Sequence, residues 1–297
     1  LQSLCPGKSA VVNLGTLDRR CAQGLAVGAL KATELQWAIY LTGDLEKADM
    51  APVQQGTATF VNRETEVKVR LVAGKSYDII FWAQDPDCKD YAIDWMTKKL
   101  SITYNDVEEG NNDDRDAFLW VERNLKVNGA IEKDIWLYRP FAQLNVGISY
   151  ADINVALQHK YELAGTKVKA STYTQFDFTA VGTDKDGNYL PGKPVGEMKE
   201  ITFDWAAPVS KNQTADVEKL KLNDGSEYFW ASYNYLLADT PASTTDVAIW
   251  FNYSTDNTAE PVGPFTWVPI ERNHRTNIVG DLLTQSQIGR ASCRERV

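Results

Sequence analysis

Residues 65–72 read T-E-V-K-V-R-L-V, a strict alternation of polar and apolar side chains. Successive side chains of a β-strand point to opposite faces, so this pattern puts Val67, Val69 and Leu71 on a core face and Glu66, Lys68 and Arg70 in water. A helix would scatter the same residues around its circumference. The habit recurs along the chain. Residues 35–41 (L-Q-W-A-I-Y-L) alternate and are rich in aromatic and β-branched types, while 77–83 (Y-D-I-I-F-W-A) are continuously apolar, as in a central strand. The A-G-K-S turn at 73–76 predicts a hairpin between its flanking runs.

Further extended runs are expected at 133–137, 141–148, 166–171, 175–179, 200–205, 227–237, 245–253 and 265–270, with short helical pieces at 117–120 and 151–160. Asp-Gly, Asp-Thr-Pro and Pro-Val-Gly-Pro punctuate them. Short strands between turn signals, with few helical periods, predict an all-β chain of β-sandwiches with minor helix. At 297 residues two sandwiches fit better than one. The expected division is an N-terminal segment with a first strand (1–34), a sandwich over 35–184 and a second over 185–287. The boundary is placed at 184–196, where Asp184-Lys185-Asp186-Gly187-Asn188 is followed by Pro191-Gly192-Lys193-Pro194. The same stretch opens like a calcium loop, but glycine stands fourth instead of sixth and Val195 occupies the twelfth place, so an Asp-Gly turn is the reading. Residues 288–297 (I-G-R-A-S-C-R-E-R-V) have no strand pattern and resemble one frame of a sequencing adapter; they are read as a non-native tail.

Charge and motif narrow the function classes. A net charge of −9 argues against nucleic acid as a partner and against docking on an anionic membrane. No apolar run approaches the ~20 residues of a transmembrane segment. Gly7-Lys8-Ser9 lacks the first glycine of a phosphate loop, whose place Gln2 takes. Cys5, Cys21, Cys88 and Cys293 form no C-x-x-C pair, so no metal site or cofactor is expected; a Cys5–Cys21 disulfide stays open. His159 and His274 have no evident nucleophile or carboxylate partner and are read as ordinary turn histidines. No catalytic residue is assigned, although a glycosidase-like carboxylate pair remains a third reading. Among the tryptophans, Trp37, Trp82, Trp205 and Trp250 sit inside strand runs and are expected in the core. Trp120, Trp136, Trp230 and Trp267 are open, and an exposed one would mark ligand or partner contact. Leu4-Cys5 has the outline of a lipobox, making Cys5 the candidate lipidation site.

Two stretches carry a resemblance: Leu137-Tyr138-Arg139-Pro140-Phe141-Ala142-Gln143-Leu144-Asn145-Val146, and Val268-Pro269-Ile270-Glu271-Arg272-Asn273-His274-Arg275-Thr276-Asn277-Ile278-Val279-Gly280-Asp281-Leu282-Leu283-Thr284. Together they resemble the fimbrillin-type superfamily of Bacteroidales surface proteins, the subunits of type V pili, and more narrowly a branch known only as a domain of unknown function. The resemblance spans about 35–284. It implies two transthyretin-like β-sandwich domains, export as a lipoprotein and display at the outer membrane. It also implies a non-enzymatic role in adhesion, with other fimbrial subunits as partners through strand exchange. In that scheme a protease removes an N-terminal strand and a neighbour's strand fills the vacated groove. Val11-Val12-Asn13-Leu14-Gly15 resembles that first strand, and Arg19 and Arg20 are the candidate maturation site. The residues from Arg139 to Val146 would form a strand of the first sandwich, and those from Arg275 to Leu283 the closing strand of the second. Residues 16–31 depart from the family pattern. The alternative is a non-polymerising surface lipoprotein that binds glycan through exposed aromatics; host or bacterial surface glycans or proteins are further expected partners.

Overall fold

The computed structural model describes residues 9–14, 31–184, 187–205, 219–240, 242–253, 261–284 and 291–296. The chain is mostly β, in several sheets, and divides into two compact units that interleave in sequence. The first comprises Leu1–Ile102, Asp113–Pro140 and Gln175–Lys193; the second comprises Thr103–Asn112, Phe141–Thr174 and Pro194–Val297.

In the first unit, β2 (Glu34–Leu41), β3 (Gln54–Thr59), β5 (Lys75–Gln84) and β9 (Phe118–Val127) form an antiparallel sheet in the order β3-β2-β5-β9. The continuously apolar run lies in β5, between β2 and β9, with residues 77–84 all buried. Its alternate residues Tyr77, Ile79 and Phe81 pack with Leu35, Ile39, Phe118 and Val127 in one apolar cluster. The alternating run forms β4 (Thr65–Arg70), whose Val67 and Val69 join that cluster with Leu71 while Glu66, Lys68 and Arg70 face water. The turn at 73–76 does not make the expected hairpin: β4 pairs with β1 (Ser9–Leu14), and β5 lies in another sheet. A short turn can join strands of two sheets as easily as strands of one, and alternation alone does not tell them apart.

Two other local readings are corrected. The expected helix at 117–120 is the start of β9, preceded by a single 3-10 turn at Asp113–Arg115. Tertiary pairing overrides local preference here, since Leu119 exchanges backbone hydrogen bonds with Tyr138 at 2.8 and 3.0 Å. Residues 133–137 form no strand; Ile135 and Leu137 still alternate into the core, as a segment without a ladder can also do. Next to them the Arg139 guanidinium forms a buried pair with Asp116 and lies 4.9 Å from the Phe118 ring. β6 (Tyr91–Asp94) pairs with β7 (Lys99–Ile102).

In the second unit, β10 (Phe141–Ile148) is flanked by β14 (Glu227–Leu237), antiparallel, and β17 (His274–Gly280), parallel. β13 (Lys219–Lys221) and β18 (Ala291–Arg296) complete that sheet in the order β13-β14-β10-β17-β18. Every residue of β10 is buried, as a strand in mid-sheet requires. The bulge at Val146/Gly147 brings Gly147 so close to its neighbours that a Cβ would stand 2.8 Å from Leu220 and 2.9 Å from Val279. The predicted helix at 151–160 is α1 (Tyr150–Gln158), capped by Ser149, whose hydroxyl accepts from the Asp152 amide at 3.1 Å. Asp152 is buried and its carboxylate accepts from the Leu283 and Thr284 amides at 2.6 and 3.1 Å.

The runs expected at 166–171 and 175–179 merge into one long strand, β11 (Leu163–Thr183), and Pro191-Gly192-Lys193-Pro194 lies inside β12 (Tyr189–Trp205), where one division between the two units falls between Lys193 and Pro194. Asp184 and Asn188 close the connection between these strands, with the Asn188 amide donating to the Asp184 carboxylate at 2.8 Å. Residues 163–174 of β11 pair with β15 (Ser243–Tyr253), which pairs in turn with β16 (Val262–Ile270); β8 (Val107–Glu109) lies parallel to the end of β12.

Candidate functional site

The residue patterns that drew attention in sequence come together at three places. The first is the edge of β4. Six residues of β1 pair antiparallel with six of β4, from Ser9↔Arg70 to Leu14↔Thr65. Among the described residues β1 is the ladder partner of β4, and β4 has no other named one. The apolar face of β4 supplies Val67 and Val69 to the core, both about one-twentieth exposed (5% and 6%). On its far side the Gln54 amide donates to the Arg70 carbonyl at 2.8 Å. In sequence, β1 lies between Cys5 and the Arg19-Arg20 pair. Cys5, Arg19 and Arg20 lie outside the described residues, as do Cys21 and the proposed linkage between Cys5 and Cys21.

The second place unites the two motif stretches. The β10–β17 ladder runs from Gln143↔Arg275 to Ile148↔Gly280, so segments about 130 residues apart lie side by side. Side chains reinforce the register: the Asn145 amide donates to Asn277 at 2.8 Å, Arg275 Nε to Gln143 at 3.2 Å, and the Trp230 indole N–H to Asn145 at 3.2 Å. Of the residues read as a strand of a first sandwich, Arg139 and Pro140 fall in the first unit while the strand itself, from Phe141, belongs to the second, and β17 is not the closing strand, because β18 pairs on its outer side. A motif match identifies a strand without naming its neighbour, and a parallel pair needs a long crossover that sequence does not display.

The third place is the surface. Trp82 is fully buried as expected, and its N–H reaches Gln84 at 2.7 Å. Trp37, Trp205 and Trp250 are instead half-buried: Trp37 packs at the margin of the apolar cluster that holds Leu35 and Ile39, Trp205 ends β12 on the same strand face as buried Ile201 and Phe203, and Trp250 alternates with buried Ile249 and Phe251 toward the outer side of β15. Trp230 is buried, Trp120 packs between Tyr138 and Tyr189, and Trp136 and Trp267 are exposed, Trp267 by 77%. Nothing in sequence distinguished Trp267 from its fellows.

His159 caps α1 at the surface. His274 Nδ1 lies 2.9 Å from the Arg272 carbonyl and 3.7 Å from Glu271. Among the described residues no group of three His, Cys, Asp or Glu side chains could hold a metal ion, and no helix is long and apolar enough to cross a membrane. Burial pushes the Cys88 thiol up to about 11 and the Tyr253 phenol up to about 12, the latter aided by Asp152.

Comparison with known proteins places this architecture. Solved structures similar over most of the chain include a candidate cell adhesion protein from Bacteroides uniformis (12% identity, covering 97% of this chain and 98% of that one, TM-score 0.51). Others are a candidate cell adhesion protein from Bacteroides ovatus (10% identity, 99% and 98% covered, TM-score 0.49) and a fimbrial assembly protein from Parabacteroides distasonis (11%, 92% and 91%, TM-score 0.48). The likeness to the Bacteroides uniformis protein is one of fold. No curated protein matches the chain. A family model, described as a family of unknown function (DUF6562), matches residues 29–293 and takes in both motif stretches. The resemblance read from those stretches is borne out, and the chain belongs to that family of unknown function, with Bacteroidales adhesion and fimbrial proteins as its structural neighbours.

Proposed function

We propose that this chain is a non-enzymatic cell-surface subunit of the fimbrial or adhesin type, built as two transthyretin-like sandwiches and joined to neighbouring subunits by β-strand addition. One observation carries the reading: β4 makes its ladder with β1, and β1 lies wholly on the N-terminal side of Arg19-Arg20. Cleavage there would leave the β4 backbone groups without their ladder partners, along an edge whose Val67 and Val69 belong to the apolar core. An open ladder beside an apolar trough is what an incoming strand satisfies. Lipidation at Cys5 would hold the precursor at the outer membrane until trimming. Other subunits of the same fimbrium are then the partners, and the cell surface is the location.

The test is limited trypsin treatment of the full chain, with mass spectrometry to verify loss of residues through Arg20. Size-exclusion chromatography and electron microscopy then follow assembly. Ladders or filaments from the trimmed chain, and none from an Arg19→Ala/Arg20→Ala variant, are expected. A trimmed chain that stays monomeric at high concentration would overturn the proposal.

A further inference from the structure

Trp267 is held in water by a backbone conformation that bulky residues avoid. Its φ is +58°, in the left-handed region, and its side chain is 77% exposed. The cause lies in the β15–β16 ladder. Thr245 stands opposite Val268 and Val247 opposite Phe265, so two residues of β16, Thr266 and Trp267, face the single residue Asp246. That is a β-bulge, a device that re-aims a side chain. The Asp246 carboxylate fixes it by accepting the Trp267 amide at 3.1 Å. Strain of this kind persists where the surroundings enforce it, and it gathers at ligand contacts.

The neighbourhood indicates what kind of ligand. A second register shift follows between Val247 and Ile249, and Pro264 in that stretch has no N–H to give. An edge so interrupted is a poor template for an added strand. Recognition here must go through side chains. Asp246, Ala248 and Trp250 share the outward face of β15, Trp250 being half-exposed about 14 Å along the strand from Asp246 at 3.4 Å per residue. Between and beside the two indoles stand exposed Thr244, Thr266 and Asp246, with Lys167 paired to Asp204 at 3.2 Å. A dry protein contact needs contiguous apolar area, which these polar groups interrupt. A sugar needs the reverse: a flat ring to meet the C–H face of a pyranose, and nearby oxygens to accept its hydroxyls.

We infer that the outward face of β15 and β16 is a saccharide platform, with Trp267 stacking on one pyranose ring, Asp246 accepting its hydroxyls, and Trp250 meeting a ring further along a neutral oligosaccharide. This goes beyond subunit assembly and does not depend on it. The protein's charge of −9 and the Asp246 carboxylate favour a neutral chain over an acidic one.

The experiment applies the full chain to immobilised neutral pentasaccharides of gluco, manno, galacto and xylo configuration, beside Trp267→Gly and Trp250→Ala. Glycine is at ease at this φ, so Trp267→Gly keeps or raises Tm while its saccharide binding falls at least about tenfold, the scale of losing an aromatic anchor. Trp250→Ala weakens binding to pentasaccharides more than to the matching disaccharides. Three results would each overturn the inference: no binding by the intact chain to any of these sugars at millimolar concentration, unchanged binding by Trp267→Gly, or loss of subunit assembly by Trp267→Gly with sugar binding intact. Failure of assembly in the trypsin experiment leaves these readouts untouched, so the two proposals fall separately.

Discussion

Arg139 and Asp116 meet through two parallel hydrogen bonds, Nε to Oδ1 at 2.7 Å and Nη2 to Oδ2 at 2.8 Å, with both side chains withdrawn from water. Arg139 belongs to the first motif stretch, and the pair ties the segment before β10 to the start of β9. Removing one partner leaves a buried charge without its counterpart. Arg139→Met should therefore destabilise the first unit by about 3–5 kcal/mol in chemical denaturation, while Arg139→Met with Asp116→Leu recovers most of the loss. A single variant within about 1 kcal/mol of the natural chain would show that the pair is not the anchor described.

Asn145 plays the corresponding part in the second unit, donating to Asn277 and accepting from Trp230 at the β10–β17 and β10–β14 contacts. Asn145→Ala removes one partner from each while leaving their polar groups buried. A loss of about 1–3 kcal/mol is expected, together with a red shift of tryptophan emission as Trp230 repacks. An unshifted spectrum at unchanged stability would contradict the arrangement.

How much of this was legible in the sequence varies by element. Strand patterning marked β2, β4, β5, β10 and β14 because their apolar residues repeat at the period the pleat imposes. It did not reveal partners: the turn at 73–76 looks the same whether it closes a hairpin or changes sheets, and the parallel neighbours β10 and β17 are about 130 residues apart. The Asp-rich loop at 111–116 misled at 117–120 by looking like a helix cap, where the bridge between Leu119 and Tyr138 decides the conformation. The motif stretches did identify the family, since they contain the buried polar residues Arg139, Gln143, Asn145, Arg275 and Asn277, which are specific where a Val or Leu would not be. The exposed Trp267 was invisible because a bulge arises from the mismatch of two strands and is written in neither alone.

Gly147 provides a test of close packing at the β10 bulge. A methyl group there would stand 2.8 Å from Leu220, 2.9 Å from Val279 and 3.0 Å from Tyr228. All three belong to or pack on one small apolar cluster with Trp230. Gly147→Ala should cost about 1–3 kcal/mol by overpacking, and Gly147→Ala with Leu220→Ala should cost less than the two separately because the space is shared. Strict additivity in a double-mutant cycle would argue against this contact.

Cys88 is a free, buried thiol whose pKa burial raises to about 11. The thiolate is the reacting form, so at pH 8 the native chain holds very little of it. With Cys5, Cys21 and Cys293 replaced by Ser, alkylation of Cys88 by iodoacetamide should be slow in buffer and rapid in denaturant. The native rate should still be rising beyond pH 9, where a free cysteine is levelling off. Fast modification at pH 8 without unfolding would show the thiol to be accessible.

The β1–β4 ladder makes a finer prediction about strand addition than filament formation alone. A peptide of residues 9–14, Ser-Ala-Val-Val-Asn-Leu, added in trans to the trimmed chain should suppress assembly by occupying β4. In an antiparallel pair alternate residues turn their N–H groups toward the partner strand, so methylating backbone nitrogens distinguishes the two sets. One peptide would carry N-methyl groups at the positions of Ala10, Val12 and Leu14, and the other at those of Val11 and Asn13. Ladder pairing requires that one set lose its inhibitory effect and the other retain most of it, with side chains identical throughout. Equal potency of the two peptides would mean that any suppression comes from side-chain contact, and the backbone mechanism would have to be abandoned.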